Sequence, residues 1–296
     1  MSGAWAPLSQ RTFRALWLAN LVSDIGTAMH AVGAGWLMTE LAPSPFIVAL
    51  VQAATTAPMF LLLLPAGALG DILDRRRLLI FALCWSVLTA LALGLVTLAG
   101  WTTPALLLAF TLILGIGAAL AVPSFQAVVP ELVPRELLPA AVSLSSMGVN
   151  IARAAGPAIA GLLIASLGVA SVFIFNAAST ALTIVVLWRW QRTPRAAGLP
   201  PEPFWSALRI GARYARNNPQ LGAVLIRSAA FYSFAAALWA LLPLVGAKLA
   251  QGASGYAILL SCLGAGAVLA ALTLPRIRPM MSSNGSIETL ALGSNA

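Results

Sequence analysis

Eight apolar runs, each long enough to cross a bilayer, constrain this chain more than any motif in it. They fall at residues 14–39, 46–66, 78–99, 104–123, 139–166, 170–188, 221–247 and 254–274. A helix needs about 20 mainly apolar residues to cross the hydrocarbon core. Only 8% of the 296 residues are charged and the mean hydropathy is +0.93, far from the roughly 25% charge of soluble domains. In lipid a backbone must satisfy its own polar groups, and runs of this length do so as helices. The fold class is therefore an all-α membrane protein. The first run follows MSGAWAPLSQRTFR, which carries no convincing cleavage signal, so it reads as an uncleaved first span.

The net charge of +9 is not a nucleic-acid signal, because the arginines sit at the ends of the runs and no basic domain carries them. If the runs alternate in direction, one side collects Arg11, Arg14, Arg75, Arg76, Arg77, Arg135, Arg189, Arg192, Arg195, Arg209, Arg213, Arg216, Arg276 and Arg278, and the other collects Lys248. The positive-inside rule makes the first side the cytoplasm, with both termini there and the chain multi-pass in a bacterial inner membrane. The lipid bilayer is the first partner expected. Cys84 and Cys262 lie inside apolar runs, far apart in sequence, and read as packing residues; neither a disulfide, a metal site nor a cofactor is expected.

One stretch concentrates charge in an unusual order. In GALGDILDRRR, residues 67 to 77, Gly67 and Gly70 suit a tight exit from the second run, Asp71 follows, and three arginines come after a gap. This resembles the major facilitator superfamily pattern G-x-L-A-D-R-x-G-R-R between helices 2 and 3. Gly67, Leu69, Asp71, Arg75 and Arg76 match it, while Ile72 and Asp74 depart from it. The run RAAGPAIAG, residues 153 to 161, resembles the helix 5 signature of the superfamily's exporters, with Gly148, Gly156, Pro157 and Gly161 on a small-residue face that either packs helices closely or serves a conformational change. Longer blocks, among them NLVSDIGTAMHAVGAGWLMTEL and ALWALLPLVGAKLAQGASGY, are similar to the enterobactin-exporter-like branch.

The resemblance implies a complete six-helix N-terminal bundle over 1–188, built from two inverted three-helix repeats. A cytoplasmic linker over 189–220 would follow, holding a basic amphipathic helix at 205–218. The first two helices of a C-terminal bundle would occupy 221–275, and a polar tail 276–296. A complete member has twelve spans, so the reading expects four beyond those present here. It also implies a latch at Gly67, Asp71, Arg75 and Arg76: Asp71 against the N-terminus of the eleventh helix, with Arg75 and Arg76 binding acidic groups nearby. Thr111 stands where many proton-coupled members carry a helix 4 arginine.

Charges within the spans point to mechanism, because an isolated charge at mid-bilayer costs a few to more than ten kcal/mol, by order of magnitude. Counting from Arg14 and Pro139 at 1.5 Å per residue, Asp24 lies ~15 Å and Arg153 ~21 Å into their helices. Asn20, Asp24 and Thr27 share a face of the first helix, and Asn150, Arg153 and Pro157 a face of the fifth. Two readings stand for Asp24 and Arg153: a structural ion pair, or a direct role with substrate or protons. His30 is the sole histidine, either a proton relay or a hydrogen-bonded structural residue. Phe231, Tyr232 and Trp239, on a helix that lines the cavity in the superfamily, either meet a lipophilic substrate or pack.

The function these features favour is secondary active transport: efflux of small amphiphilic, drug-like or siderophore-like molecules by alternating access, coupled to protons. The alternative is a truncated, non-transporting membrane fragment of such a transporter. An enzyme is not expected, since the spans hold one aspartate and one histidine and offer no paired catalytic constellation. No phosphate-binding loop for ATP appears.

Overall fold

The computed structural model describes residues 5–42 and 44–190, with scattered positions from 213 to 266. The linker, the seventh and eighth runs and the tail therefore lie wholly or mostly outside the described residues. Six long helices follow one another: α1 Arg11–Leu41, α2 Pro45–Ile72, α3 Arg75–Leu98, α4 Pro104–Leu132, α5 Leu138–Leu167 and α6 Ala170–Arg189. The structure is an all-α membrane bundle, as the sequence predicts. Among the described residues, α2 to α6 each contain a segment long and apolar enough to cross a membrane. The 31-residue α1 is long enough but carries Asn20, Asp24, His30 and Glu40, and falls short on apolarity.

Local chemistry sets the helix ends. Asp74 caps α3, its Oδ1 accepting the Arg77 backbone N–H at 2.9 Å, and Thr103 caps α4 by accepting from Leu106 N–H at 3.3 Å. Gly100 follows α3 at φ +72° and Gly168 follows α5 at φ +81°, a left-handed geometry that favours glycine. Two sequence expectations shift. The helix α2 runs straight through Gly67 and Gly70 to Ile72, so the glycines make no turn, and the chain leaves the helix at Leu73 and Asp74. The expected fourth run ends at 123, but α4 continues through Pro123 and Pro130 to Leu132. Proline removes one helical bond without ending a helix that neighbouring helices hold in place.

The packing has a regularity that the sequence does not display. The extensive contacts are α1 with α5 and α6, α2 with α4, and α3 with α4 and α6. Exchanging α1, α2, α3 for α4, α5, α6 maps this set onto itself: α1–α5 becomes α4–α2, α1–α6 becomes α4–α3, and α3–α6 returns as itself. Two three-helix units related by a pseudo-twofold give this pattern.

Two apolar cores fill the bundle. One, holding Met29, Leu93, Leu107 and Phe173, lies toward the end opposite the arginines. The other, holding Phe13, Leu79, Val129 and Leu187, lies at the arginine end. Polar side chains of α1 and α6 separate them at mid-height.

Candidate functional site

The helix α1 presents polar groups on two faces, and each meets a different neighbour. Toward α6, Ser23 Oγ and Thr180 Oγ1 share a hydrogen bond at 3.1 Å. Thr27 Oγ1 donates to the Ser23 carbonyl at 3.0 Å and approaches Asn176 Oδ1 at 3.4 Å. Asn176 Nδ2 lies 3.3 Å from His30 Nδ1. With Oδ1 facing Thr27, the amide nitrogen faces the imidazole, which assigns the histidine proton to Nε2 from the hydrogen-bond network. His30 is buried, and its ring meets Phe173 tilted by 56°, with 4.7 Å between ring centroids. The sequence reading missed this α6 partner set, although Asn176, Ser179, Thr180 and Thr183 recur at helical spacing in an otherwise apolar segment.

This seam requires close approach of the helices. A Cβ built at Gly26 would overlap Ser179 Oγ and lie 3.1 Å from Asn176 Cα, and one at Gly33 would overlap Val172 Cγ2 and lie 3.2 Å from Phe173 Cε1. Both positions admit only a hydrogen.

Toward α4 and α5, α1 opens a cleft whose wall includes Phe13, Trp17, Asn20, Asp24, Phe125 and Ser145. Its free volume is about 10 Å³, room for about one water molecule. Asn20 Nδ2 donates to Asp24 Oδ2 at 2.8 Å, which joins two residues that the sequence placed on one face. Thr27, assigned to the same face, turns to α6 instead. Trp17 ties α1 to α5: its Nε1 donates to the Leu144 carbonyl at 2.9 Å, beside Gly148, whose built Cβ would sit 3.5 Å from that nitrogen. Trp85 repeats the device from α3 to α4, donating to the Ile113 carbonyl at 2.9 Å, and Gly117 lies one turn on. Trp17→Phe should lower the unfolding free energy of the detergent-solubilised protein by about 1 kcal/mol, the usual net worth of such a bond. A thermal-melting series of the variant against wild type measures it.

The remaining sequence candidates divide. Arg153 is exposed on α5 and makes neither an ion pair nor a hydrogen bond with Asp24. Asn150 is half-buried and also makes no hydrogen bond to Asp24. Gly156, Pro157 and Gly161 are buried on α5; a Cβ at Gly156 would come within 2.6 Å of Ala28 Cβ and 3.2 Å of the Ile25 carbonyl, so this glycine seats α5 against α1. Arg76 departs from the expected acidic partners. Its Nε donates to the Leu187 carbonyl at 2.8 Å and its Nη2 to the Trp188 carbonyl at 2.7 Å, closing the C-terminus of α6. Gly67 has open space where a Cβ would go, and Asp71 stands in the last turn of α2. Phe231 is exposed, and Tyr232 and Trp239 lie outside the described residues.

Two exchange-related three-helix units, with a carboxylate on a cleft at mid-height, are an arrangement of the major facilitator fold. The chain matches the transmembrane secretion effector family, MFS_3, over residues 2–294, and it belongs to that family. It is 28% identical over 266 residues to the enterobactin exporter EntS of Salmonella typhi, covering 88% of this chain and 63% of that protein. It is also 28% identical over 293 residues to EntS of Shigella boydii serotype 4, covering 95% and 69%. The chain thus spans 63% of the length of the first of these relatives. Among solved structures it resembles a bacterial homolog of the human lysosomal transporter Spinster. The inward-facing unoccupied form gives a TM-score of 0.61 at 19% identity over 90% of this chain and 63% of that one. The inward-facing occupied form gives 0.66 at 18% over 90% and 61%. This likeness concerns the fold.

Proposed function

We propose that the protein serves secondary active efflux of small amphiphilic molecules, drug-like or siderophore-like, by alternating access with protons as the coupling ion. The observation that carries the reading is Asp24. A carboxylate is retained inside a membrane bundle, steadied by Asn20 and facing a cleft, where a charge without a task would be costly. Membership in a secretion family and similarity to enterobactin exporters support the direction. The arginine-rich end of the bundle faces the cytoplasm of a bacterial inner membrane, and both chain ends lie there. Residues 189–220 act as the cytoplasmic linker and 221–275 begin the second bundle, against which Gly67 and Asp71 close the cytoplasmic side.

In everted vesicles carrying the full gene product, Asp24→Asn should reduce proton-dependent dye accumulation at least tenfold, because neutralising the carboxylate removes the group that exchanges charge. Asn20→Ala should have a smaller effect, since Asp24 keeps its charge and loses only its brace. Wild-type transport by Asp24→Asn would reject the assignment, and transport insensitive to a protonophore would reject proton coupling.

A further inference from the structure

The helix α5 carries two unlike faces. Ala141, Leu144, Gly148, Ala152 and Gly156 are buried, and this side seats against α1, with Gly148 beside Trp17 and Gly156 beside Ala28. At about 100° per residue, Ser143, Ser146, Asn150 and Arg153 fall on the far side of the helix from Gly148. Ser143, Ser146 and Arg153 are exposed and Asn150 is half-buried. Both serine hydroxyls fold back on their own helix, donating to the Pro139 carbonyl at 2.9 Å and the Val142 carbonyl at 3.1 Å, so each oxygen keeps its capacity to accept. Asn150 and Arg153 make no hydrogen bond or ion pair among the described residues. The line continues as Pro157 and Gly161, both buried. A polar track thus runs up α5 from the arginine end and stops at Arg153.

That stopping point is deep in the membrane. Arg153 lies ~21 Å along the helix from Pro139, within the apolar segment Arg135–Leu167, where an uncompensated charge is costly. A track that ends in a guanidinium is unsuited to lipid, and the seventh and eighth apolar runs do not answer it: residues 221–247 and 254–274 contain neither Asp nor Glu. Asp24, the one acidic residue inside the eight runs, is braced by Asn20 and makes no bond to Arg153. We propose that Arg153 and Asn150 form a recognition site for the carboxylate of an organic monoanion, reached along the serine track from the arginine end. The guanidinium offers two parallel N–H groups that match the two carboxylate oxygens, and the Asn150 amide adds a donor one turn away. The serine oxygens accept hydrogen bonds from water or ligand hydroxyls along the approach. One fixed cation compensates one negative charge, so a dianion such as a phosphate monoester keeps a second, uncompensated charge at this depth. The inference rests on the transport reading only in that it names the headgroup class of the molecule transported.

The test is equilibrium binding to the full chain in nanodiscs of zwitterionic lipid, which leaves no anionic headgroup to compete. Three probes share one aromatic body: 2-naphthylacetate, the neutral 2-naphthylacetamide and 2-naphthyl phosphate. The acetate should bind saturably and at least tenfold more tightly than either of the others, a comparison within the wild-type protein that needs no variant to fold. Arg153→Leu should bring the acetate down to the level of the acetamide. Arg153→Lys, which keeps the charge without the fork, should recover part of the preference, and Asn150→Ala should weaken the acetate severalfold. Equal or tighter binding of the acetamide or the phosphate overturns the proposal, as does an Arg153→Leu protein that melts like wild type and still prefers the acetate. Binding and export are separable here. Selective acetate binding with no export in vesicles upholds the site and rejects the transport reading. Proton-driven export of neutral dyes with no acetate selectivity upholds transport and rejects the site.

Discussion

Gly26→Val is expected to destabilise the bundle by about 3 kcal/mol or more, at the top of the range for overpacking a tight core. The first added carbon already overlaps Ser179 Oγ and lies 3.1 Å from Asn176 Cα, and valine adds two methyl groups beyond it. The hydroxyl can be removed, but the backbone of α6 cannot. Gly26→Val with Ser179→Ala should therefore recover only part of the loss. The measurement is the yield of monodisperse protein after solubilisation, together with its melting temperature. Wild-type values for the single variant would show that α1 and α6 do not approach as closely as described. Separating the two helices would also break the hydrogen bonds between Ser23 and Thr180 and between Asn176 and His30. These polar groups would then face lipid or each other without partners, which adds to the cost.

Arg76→Leu should remove about 2 kcal/mol of stability and loosen the last turn of α6. Two charge-assisted hydrogen bonds to successive carbonyls, of Leu187 and Trp188, satisfy groups that a helix leaves open at its C-terminus. The positive charge there also opposes the negative end of the helix dipole. Arg76→Lys should restore the charge but not the fork that reaches two carbonyls at once, so it should recover less than half of the loss. Hydrogen exchange over residues 186–190 reads the effect directly. If Arg76→Leu leaves exchange there unchanged, the arginine does not close α6.

The contrast between these two positions shows what the sequence can and cannot reveal. Six long helices, the arginine-rich end and the Asn20–Asp24 face were legible, because hydropathy, charge placement and helical spacing act along a single element. The small residues of α5 were legible as a packing face, and Gly156 now has its partners in Ala28 and Ile25. What Arg76 touches was not legible, since it binds backbone carbonyls, which every residue carries, and a charge search looks for opposite charges. Trp17 was hidden in the same way, as its partner is the carbonyl of Leu144. The fourth apolar run ended short of α4 because Ser124, Gln126 and Glu131 break the hydropathy, while the helix itself continues through Pro123 and Pro130 to Leu132. The division of α1 into an α6 face and a cleft face depended on which helix lies beside which, and that pairing is long-range. Yet one signal was available: the polar spacing of Asn176, Ser179, Thr180 and Thr183 on α6 marks a face that cannot point to lipid.

The exchange symmetry of the helix contacts bears on how the bundle enters a membrane. Swapping one three-helix unit for the other reproduces the same set of neighbours, so turning the bundle over exchanges the roles of the halves without losing a helix pairing. Internal packing is then a weak compass at the level of helices. What distinguishes up from down is the girdle at one end, Arg11, Arg14, Arg75, Arg76, Arg77, Arg135 and Arg189, set against loops at the other end that contain neither Lys nor Arg in 42–44, 99–103 and 168–169. Arg76 is tied to the end of α6 by its hydrogen bonds to the Leu187 and Trp188 carbonyls, and it joins the two helices that pair with each other under the exchange. By the positive-inside rule, the placement of these arginines, rather than the helix pairing, would select the direction of the bundle in a bilayer.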